Sequence, residues 1–312
     1  MFYSIENTRS TTPPAWAYYM AALSQEQQDF FWDNGYLVMP DAVNKVMLTE
    51  LQRVFHGWVE QSRQHDVNWG ETIDGKPRFH LEAGHTKALP RLLRVNAPVE
   101  ISRIYFDAMA DSPMTDYVAS LIGPDVKLHH TKINSKQSGG ETVVKWHQDF
   151  GFTPHSNDSV VTALLMIDEV TEQNGPLEVS PGSHRGPIHG LWHDGIFTGA
   201  INAEIAAGCA SKAVTCTGSA GSVCLMHTRL LHGSAANQSD APRTLFISVY
   251  SADDAIPLSP SPMPNRYEGM TVRGQPQGRV RSIDFCVDLP QLPETASFFD
   301  QQAKHKDSDQ PE

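Results

Sequence analysis

The sequence predicts a mainly β protein with flanking helices, in which two sheets wind as a jelly roll (a double-stranded β-helix) behind a helical N-terminal layer. Three observations carry that prediction. After Pro124 the chain breaks into many short runs of β-branched and aromatic residues, separated by Gly, Pro and Asn turns. Before Pro124 the apolar residues recur at spacings of three and four, the period of a helix. No internal repeat of fixed period and no long linker divides the 312 residues. The expected organisation is an irregular lead-in over 1–22 and one domain over 23–298. That domain comprises a helical layer (23–123), a jelly-roll core (124–252) and a C-terminal extension (253–298). A polar tail over 299–312 has the composition of disorder.

Each element has its own signal. Pro13-Pro14 breaks any early helix. Ser24-Gln25-Glu26-Gln27 reads as a capping box ahead of Phe30, Phe31 and Trp32, and Gly35 as the helix stop. Tyr36 to Met39 reads as a short strand. Asp41 is the candidate cap of a second helix, whose stripe runs Val43, Met47, Leu51, Val54, Phe55, Trp58 and Val59; such a stripe packs into a core. Residues 66–98 show weak periodicity around an Asp74-Gly75 turn and read as a segment lying on the surface or over a site. Pro98–Ala110 and Pro113–Ile122 read as two further helices, making the first third mainly helical. Strands follow at 126–134, 143–147, 160–170, 177–180, 221–227 and 244–250, with turns at Gly139-Gly140, Asn174-Gly175-Pro176 and Pro181-Gly182.

Composition narrows the function. A net charge of −12 with no Lys/Arg cluster disfavours nucleic acid as partner. No apolar run approaches the length of a membrane span, and residues 1–14 lack the apolar core of a signal peptide. Cys209, Cys216, Cys224 and Cys286 show no CxxC pairing and read as reduced thiols of a cytoplasmic protein. The sequence leaves the oligomeric state open.

The stretch Lys145-Trp146-His147-Gln148-Asp149-Phe150-Gly151 carries the chemistry. On a strand, His147 and Asp149 would project from the same face. Together they supply two members of a 2-His-1-carboxylate set, which leaves positions open on Fe(II). A second His-x-Asp, His305-Lys306-Asp307, lies in the polar tail and is given no metal. The third ligand must come from a distant strand, with His227 and His232 as candidates. Arg243 follows His232 by eleven residues and would offer its planar fork to a carboxylate near the metal. His130 is placed to face the pocket and His129 away from it; Lys132 shares the face of His130 and Asn134. Trp146, Phe150 and Phe152 are candidates for the substrate wall, with ordinary core as the competing reading. His184, His189 and His193 fall in a loop-rich stretch without regular ligand spacing.

Trp146-His147-Gln148-Asp149, Asn174-Gly175-Pro176-Leu177, Pro181-Gly182-Ser183-His184, His232-Gly233-Ser234, Asn237 and Arg243 occur in one order along the chain. Taken with the opening from Leu23 to Val38, they resemble the phytanoyl-CoA dioxygenase family of Fe(II)/2-oxoglutarate oxygenases, whose fold is the cupin-like jelly roll. The likeness spans about Leu23 to Tyr250. It implies that His147, Asp149 and His232 hold Fe(II), and that Arg243 and Ser234 hold the distal carboxylate of 2-oxoglutarate. A local similarity to ectoine hydroxylase implies cosubstrate contacts at Asn134 and Thr162. The implied reaction consumes 2-oxoglutarate and O2, gives succinate and CO2, and hydroxylates or otherwise oxidises a small molecule. Related halogenases lack the carboxylate that Asp149 supplies, so its presence implies hydroxylation, desaturation or ring closure. Phe150-Gly151-Phe152-Thr153 departs from the ectoine enzyme, which has an acidic residue and a Trp there. The substrate stays open among compact amino acids, betaine-like or phosphonate compounds and secondary metabolites. Arg266 and Arg273 are further candidate anchors for an anionic group, with solvated loop arginines as the competing reading. Acyl-CoA hydroxylation and non-catalytic binding of metal and 2-oxoglutarate are the alternatives.

Overall fold

The computed structural model describes residues 22–292. The lead-in expected over 1–22 (apart from Ala22) and the tail expected over 299–312, including His305-Lys306-Asp307, lie outside these residues.

Helix α1 (Gln25–Asn34) begins at a capping box: the Gln27 N–H donates to Ser24 Oγ at 3.2 Å, and the Ser24 N–H to Gln27 Oε1 at 2.8 Å. It stops at Gly35 (φ +83°), where a Cβ would lie 2.5 Å from His184 Nδ1. Strand β1 (Tyr36–Met39) follows. Helix α2 (Lys45–Ser62) is capped by Asn44, whose side chain accepts the Met47 N–H at 2.9 Å, and not by Asp41. Asp41 has φ +52°, whereas a capping residue needs extended backbone.

Residues 66–98 correct the sequence reading. They hold strands β2 (Trp69–Glu71), β3 (Pro77–Leu81) and β4 (Leu92–Asn96). Arg78, His80, Arg94 and Asn96 are buried in them, so no apolar alternation marks the strands. Their polar groups are met internally; Arg78 pairs with Glu100 at 2.7 Å and donates to the carbonyls of Glu71, Asn96 and Ala97. The first third is therefore both helical and stranded. The helix expected over Pro98–Ala110 is broken as well. Pro98–Glu100 is one 3-10 turn, Ser102 is extended (φ −142°), and α3 covers Arg103–Ala110. Helix α4 (Pro113–Ile122) matches expectation, with Pro in its first turn.

The remaining strands are β5 (Val126–Lys136), β6 (Val144–His147), β7 (Val160–Met166), β8 (Leu177–Val179), β9 (Trp192–His193) and β10 (Ile196–Phe197). After helix α5 (Ala203–Ala210) come β11 (Val214–Cys216), β12 (Val223–His227), β13 (His232–Ser234), β14 (Arg243–Ala252) and β15 (Thr271–Arg273). A large antiparallel sheet runs β1-β12-β7-β14-β5-β4-β3-β2, with β15 also on β5, and a small one runs β11-β8-β13-β6.

Alternation along the central strands sorts their side chains into two cores. Val161, Ala163 and Leu165 of β7, with Phe246 and Tyr250 of β14, pack against Leu51 and Phe55 of α2 and Met109 and Met114 of α3 and α4. Leu164 and Met166, with Leu245 and Ile247, face the small sheet and meet Leu177 and Val179 of β8. The helices thus back one face of the large sheet, and the other face is free to build a cavity. Among the described residues all four cysteines are free, and no helix is long and apolar enough to cross a membrane.

Candidate metal and cosubstrate site

Strand β6 ends at His147, and Asp149 opens a 3-10 turn (Asp149–Gly151). The two do not share one strand face, as the spacing had implied. The turn, tied by the Phe150 N–H to the Thr228 carbonyl at 2.8 Å and by the Phe152 N–H to the Asp149 carbonyl at 2.9 Å, brings the carboxylate beside His147 instead. His232 opens β13 directly opposite His147 in the antiparallel register. The ring centroids are 4.1 Å apart, and Asp149 Oδ1 lies 3.5 Å from His147 Nε2 and 3.7 Å from His232 Nε2.

The hydrogen bonds around this cluster decide what it can hold. His147 Nδ1 lies 2.7 Å from the Lys145 carbonyl, and His232 Nδ1 lies 2.9 Å from the Leu230 carbonyl. A carbonyl only accepts, so each Nδ1 carries the proton and each Nε2 presents a lone pair. Burial and the neighbouring His147 push His232 down to about 4, so it is uncharged at neutral pH. Burial works against ionisation of Asp149, but His232, His147 and Lys132 outweigh it and hold the carboxyl below the usual carboxylate range. Two lone pairs and a carboxylate oxygen therefore converge with no proton among them, an arrangement that a cation satisfies. Among the described residues this is the one His/Cys/Asp/Glu cluster with its ligand atoms all within 4.8 Å of each other. Two imidazoles and one carboxylate suit Fe(II) with open positions. Asp149 Oδ2 also accepts a hydrogen bond from Thr162 Oγ1 at 2.8 Å.

The cluster borders a cavity of about 110 Å³ between the two sheets. Register places its large-sheet wall in rows: Thr162, Val249 and His130, then Leu164, Ile247 and Lys132, then Leu245 and Asn134, and last Arg243 beside Lys136. At the Arg243 end, Nε and Nη2 donate to the Gly175 carbonyl at 3.0 and 2.7 Å, which leaves Nη1 without a hydrogen-bond partner among the described residues. Gly175 has φ +76°, and a Cβ there would lie 2.8 Å from the Ala235 carbonyl oxygen and 2.9 Å from Lys136 Cδ. Asn174-Gly175-Pro176 is thus the support of the arginine. Lys136 Nζ donates to Ser234 Oγ at 2.7 Å and to the Ala235 carbonyl. Burial pushes Arg243 down to about 10. Burial and Arg243 push Lys136 down to about 6, against the pull of Glu82 and Glu178.

The other sequence candidates divide. Asn134 lines the cavity, its Oδ1 accepting from Arg94 Nε at 3.0 Å, and Phe152 lines it beside His147. Thr162 lines it too, with its hydroxyl donating to Asp149 Oδ2 at 2.8 Å. His130 lines the cavity. His129 is the extra residue of a β-bulge opposite Val249 and Tyr250, which breaks the alternation and brings the two Nδ1 atoms to 2.6 Å. Trp146 and Phe150 do not line the cavity. Trp146 precedes His147 on β6 and so faces the other side, against Gly233 and a satellite cluster of Phe152, Leu191 and Phe197. Phe150 turns away to Phe285, centroids 5.3 Å apart. Arg273 is spent on Asp116 at 2.7 Å, and Arg266 lies exposed beside Glu100. His227 packs with His184, Phe31 and Trp32, away from the cavity. His184 and His193 bind the carbonyls of Trp32 and Ala200.

Four contributors escaped the sequence reading. Lys136 is missed by ending the strand at Asn134; continuing the alternation of Lys132 and Asn134 by one step finds it. Arg94 lies in the segment read as irregular, and Pro262 and Met263 reach the cavity from the C-terminal extension.

A jelly roll with this acceptor set, and an arginine deeper in the same cavity, defines the class of non-haem Fe(II)/2-oxoglutarate oxygenases. The chain belongs to the phytanoyl-CoA dioxygenase (PhyH) family, which matches residues 31–245. It is 28% identical over 275 residues to a probable alpha-ketoglutarate-dependent hypophosphite dioxygenase of Stutzerimonas stutzeri, covering 85% of this chain and 91% of that protein. It is 29% identical over 247 residues to the L-proline trans-4-hydroxylase of Streptomyces griseoviridis, covering 73% and 86%. The fold superposes on the iron-bound crystal structure of EctD from S. alaskensis with a TM-score of 0.64, at 23% identity and covering 81% and 87% of the chains. The protein is accordingly an iron- and 2-oxoglutarate-dependent dioxygenase.

Proposed function

We propose that His147, Asp149 and His232 hold Fe(II), and that Arg243, Ser234 and Lys136 hold the distal carboxylate of 2-oxoglutarate. The observation that carries this is the convergence of two Nδ1-protonated imidazoles and one ionised carboxylate, with a buried guanidinium in the same cavity. When bound, the iron with 2-oxoglutarate and O2 supplies an oxidant strong enough to hydroxylate the substrate. The chain supplies position and exclusion. The Lys145 and Leu230 carbonyls fix the imidazole planes, Thr162 fixes one oxygen of Asp149, and the Gly175 carbonyl aims Arg243. Leu164, Leu177, Leu245 and Ile247 give the space between metal and arginine an apolar wall, with Lys132 and Asn134 as the polar groups of the same rows. Asn134 and Phe152 border the reacting space, and a cavity of about 110 Å³ admits a compact substrate. The working unit is one domain over 23–298. Its free cysteines fit a reducing compartment, the cytoplasm.

The test is metal binding together with conversion of 2-oxoglutarate to succinate. Wild type should bind Fe(II) and make succinate, His147→Ala and His232→Ala should lose both, and Arg243→Met should keep the metal but raise the KM for 2-oxoglutarate at least tenfold. Unimpaired metal binding in both histidine variants would refute the assignment.

A further inference from the structure

The cavity holds more positive charge than its metal and cosubstrate use. On β5 the inward residues are His130, Lys132, Asn134 and Lys136. Lys136 is engaged with Ser234 and Ala235 at the arginine end. Lys132 stands four residues earlier, about 13 Å away along the strand at ~3.3 Å per residue. Its ammonium has no hydrogen-bond or ion-pair partner among the described residues, although it lines the cavity beside the row that carries Thr162 and His130. Burial and Arg94 push it down to about 8, and Asp149 pulls the other way, so at pH 7 it remains charged. A charged amine turned into a cavity with a largely apolar lining and nothing to bind is costly unless a ligand brings the counter-charge.

The charge balance, resting on the proposed function above, points to which ligand. Iron contributes +2, Asp149 −1 and doubly ionised 2-oxoglutarate −2; the Arg243 guanidinium brings the sum to zero, while Lys136, pushed down to about 6, adds little charge at pH 7 and Arg94 is turned to Asn134. Lys132 is left over. His130 borders the same space, and its Nε2 has no partner among the described residues, because its one hydrogen bond runs from Nδ1 to His129. A cationic amine next to an imidazole nitrogen, in a compact cavity with an apolar wall of Leu164, Ile247 and Val249, fits a small anion.

We propose that Lys132 is the anchor for the anionic group of the substrate, with His130 as its neighbour, and that the enzyme selects compact oxyanions, either a phosphorus oxyanion or a carboxylate. The cosubstrate does not use this lysine. The role is one of substrate selection: the ammonium orients the molecule, and the C–H or P–H bond to be oxidised is turned toward the iron side.

The experiment uses the full chain, anaerobic and loaded with Fe(II) and 2-oxoglutarate, and reads binding of hypophosphite, L-proline and prolinamide, which lacks the carboxylate, by calorimetry. Hypophosphite binding with no L-proline binding selects the phosphorus oxyanion, and the reverse selects the carboxylate. Lys132→Met should weaken the bound anion at least tenfold while the Kd of 2-oxoglutarate moves less than twofold; Lys132→Arg should recover part of the loss. Retained 2-oxoglutarate binding shows that each variant is folded. The proposal is overturned if neither anion binds the loaded wild type, if prolinamide binds as well as the anions, if Lys132→Met leaves anion binding unchanged, or if that substitution weakens 2-oxoglutarate as much as the anion. Failure of the wild type to bind Fe(II) or 2-oxoglutarate would instead sink the proposed function on which this rests.

Discussion

Thr162→Val removes one hydroxyl and replaces it with a methyl group of similar size. In the wild type that hydroxyl donates to Asp149 Oδ2 at 2.8 Å, on a strand whose side chains are all buried. A hydrogen bond from a neutral donor to a buried carboxylate contributes roughly 1.5–3 kcal/mol, about ten- to 150-fold in an equilibrium. Partners of metal ligands typically change metal affinity by about 10–100-fold when removed. The two ranges overlap, so Thr162→Val should weaken Fe(II) binding by roughly ten- to 100-fold at pH 7. The loss relative to wild type should be the same at pH 7 and pH 5.5, because His232, His147 and Lys132 still hold the Asp149 carboxyl below the usual carboxylate range. Thr162→Ser keeps the donor and should stay within about threefold of wild type. Anaerobic titration with Fe(II) at the two pH values, alongside urea denaturation of the metal-free proteins, separates the metal effect from a packing effect. If Thr162→Val binds Fe(II) like wild type and only its unfolding midpoint drops, the hydroxyl is a packing feature and the reasoning fails.

Two further outcomes follow from the same geometry. Gly175→Ala forces a side chain into left-handed backbone, at about 1–2 kcal/mol, and drives its Cβ against the Ala235 carbonyl oxygen and Lys136 Cδ. Stability in urea should fall by at least ~1 kcal/mol, and the KM for 2-oxoglutarate should rise as Arg243 loses its support; an unchanged KM would contradict the role given to this turn. The metal-free protein should also lose stability in mild acid. Burial pushes His129 and His227 down to about 3, and His155 and His232 to about 4, all below the ordinary histidine value. Between about pH 6.5 and 4 the unfolded chain binds protons that the native one refuses, at up to ~1.4 kcal/mol per pH unit for each group. Stability is therefore full above pH 6.5 and drains as the pH falls toward 4. Denaturant midpoints at pH 7, 6 and 5 should decline in that order, and a flat profile would argue against burial of these rings as neutral species.

The sequence was most readable where a residue type has one physical use. The capping box at Ser24, the stop at Gly35 and the strands of the central sheet announce themselves by local chemistry and alternation. The cluster of His147, Asp149 and His232 was legible as a set of ligand types, but its geometry was not. Period-2 alternation gives the wrong reason for the approach of Asp149, which depends on a turn tied to Thr228. Strands β3 and β4 hid because their buried faces carry Arg78, His80, Arg94 and Asn96, whose partners lie far along the chain. Lys136 was hidden only by ending its strand two residues early, and the outward turns of Trp146 and Phe150 depend on which sheet each faces. Hydrophobic pattern finds a wall; it does not show which side of the wall is inside.

The C-terminal extension has a separate meaning. Asp253 pairs with Lys127 at 2.7 Å, Arg281 with Asp254 at 3.0 Å, and Asn265 Nδ2 donates to the His129 carbonyl at 3.2 Å. These ties carry Pro262 and Met263 back over the cavity, although both lie beyond residue 245, where the match to the family model ends. The reacting groups and the arginine come from the matched stretch, while part of the ceiling is furnished by chain outside it. Such an arrangement is modular: a new ceiling changes which molecule fits, and the chemistry underneath stays as it was.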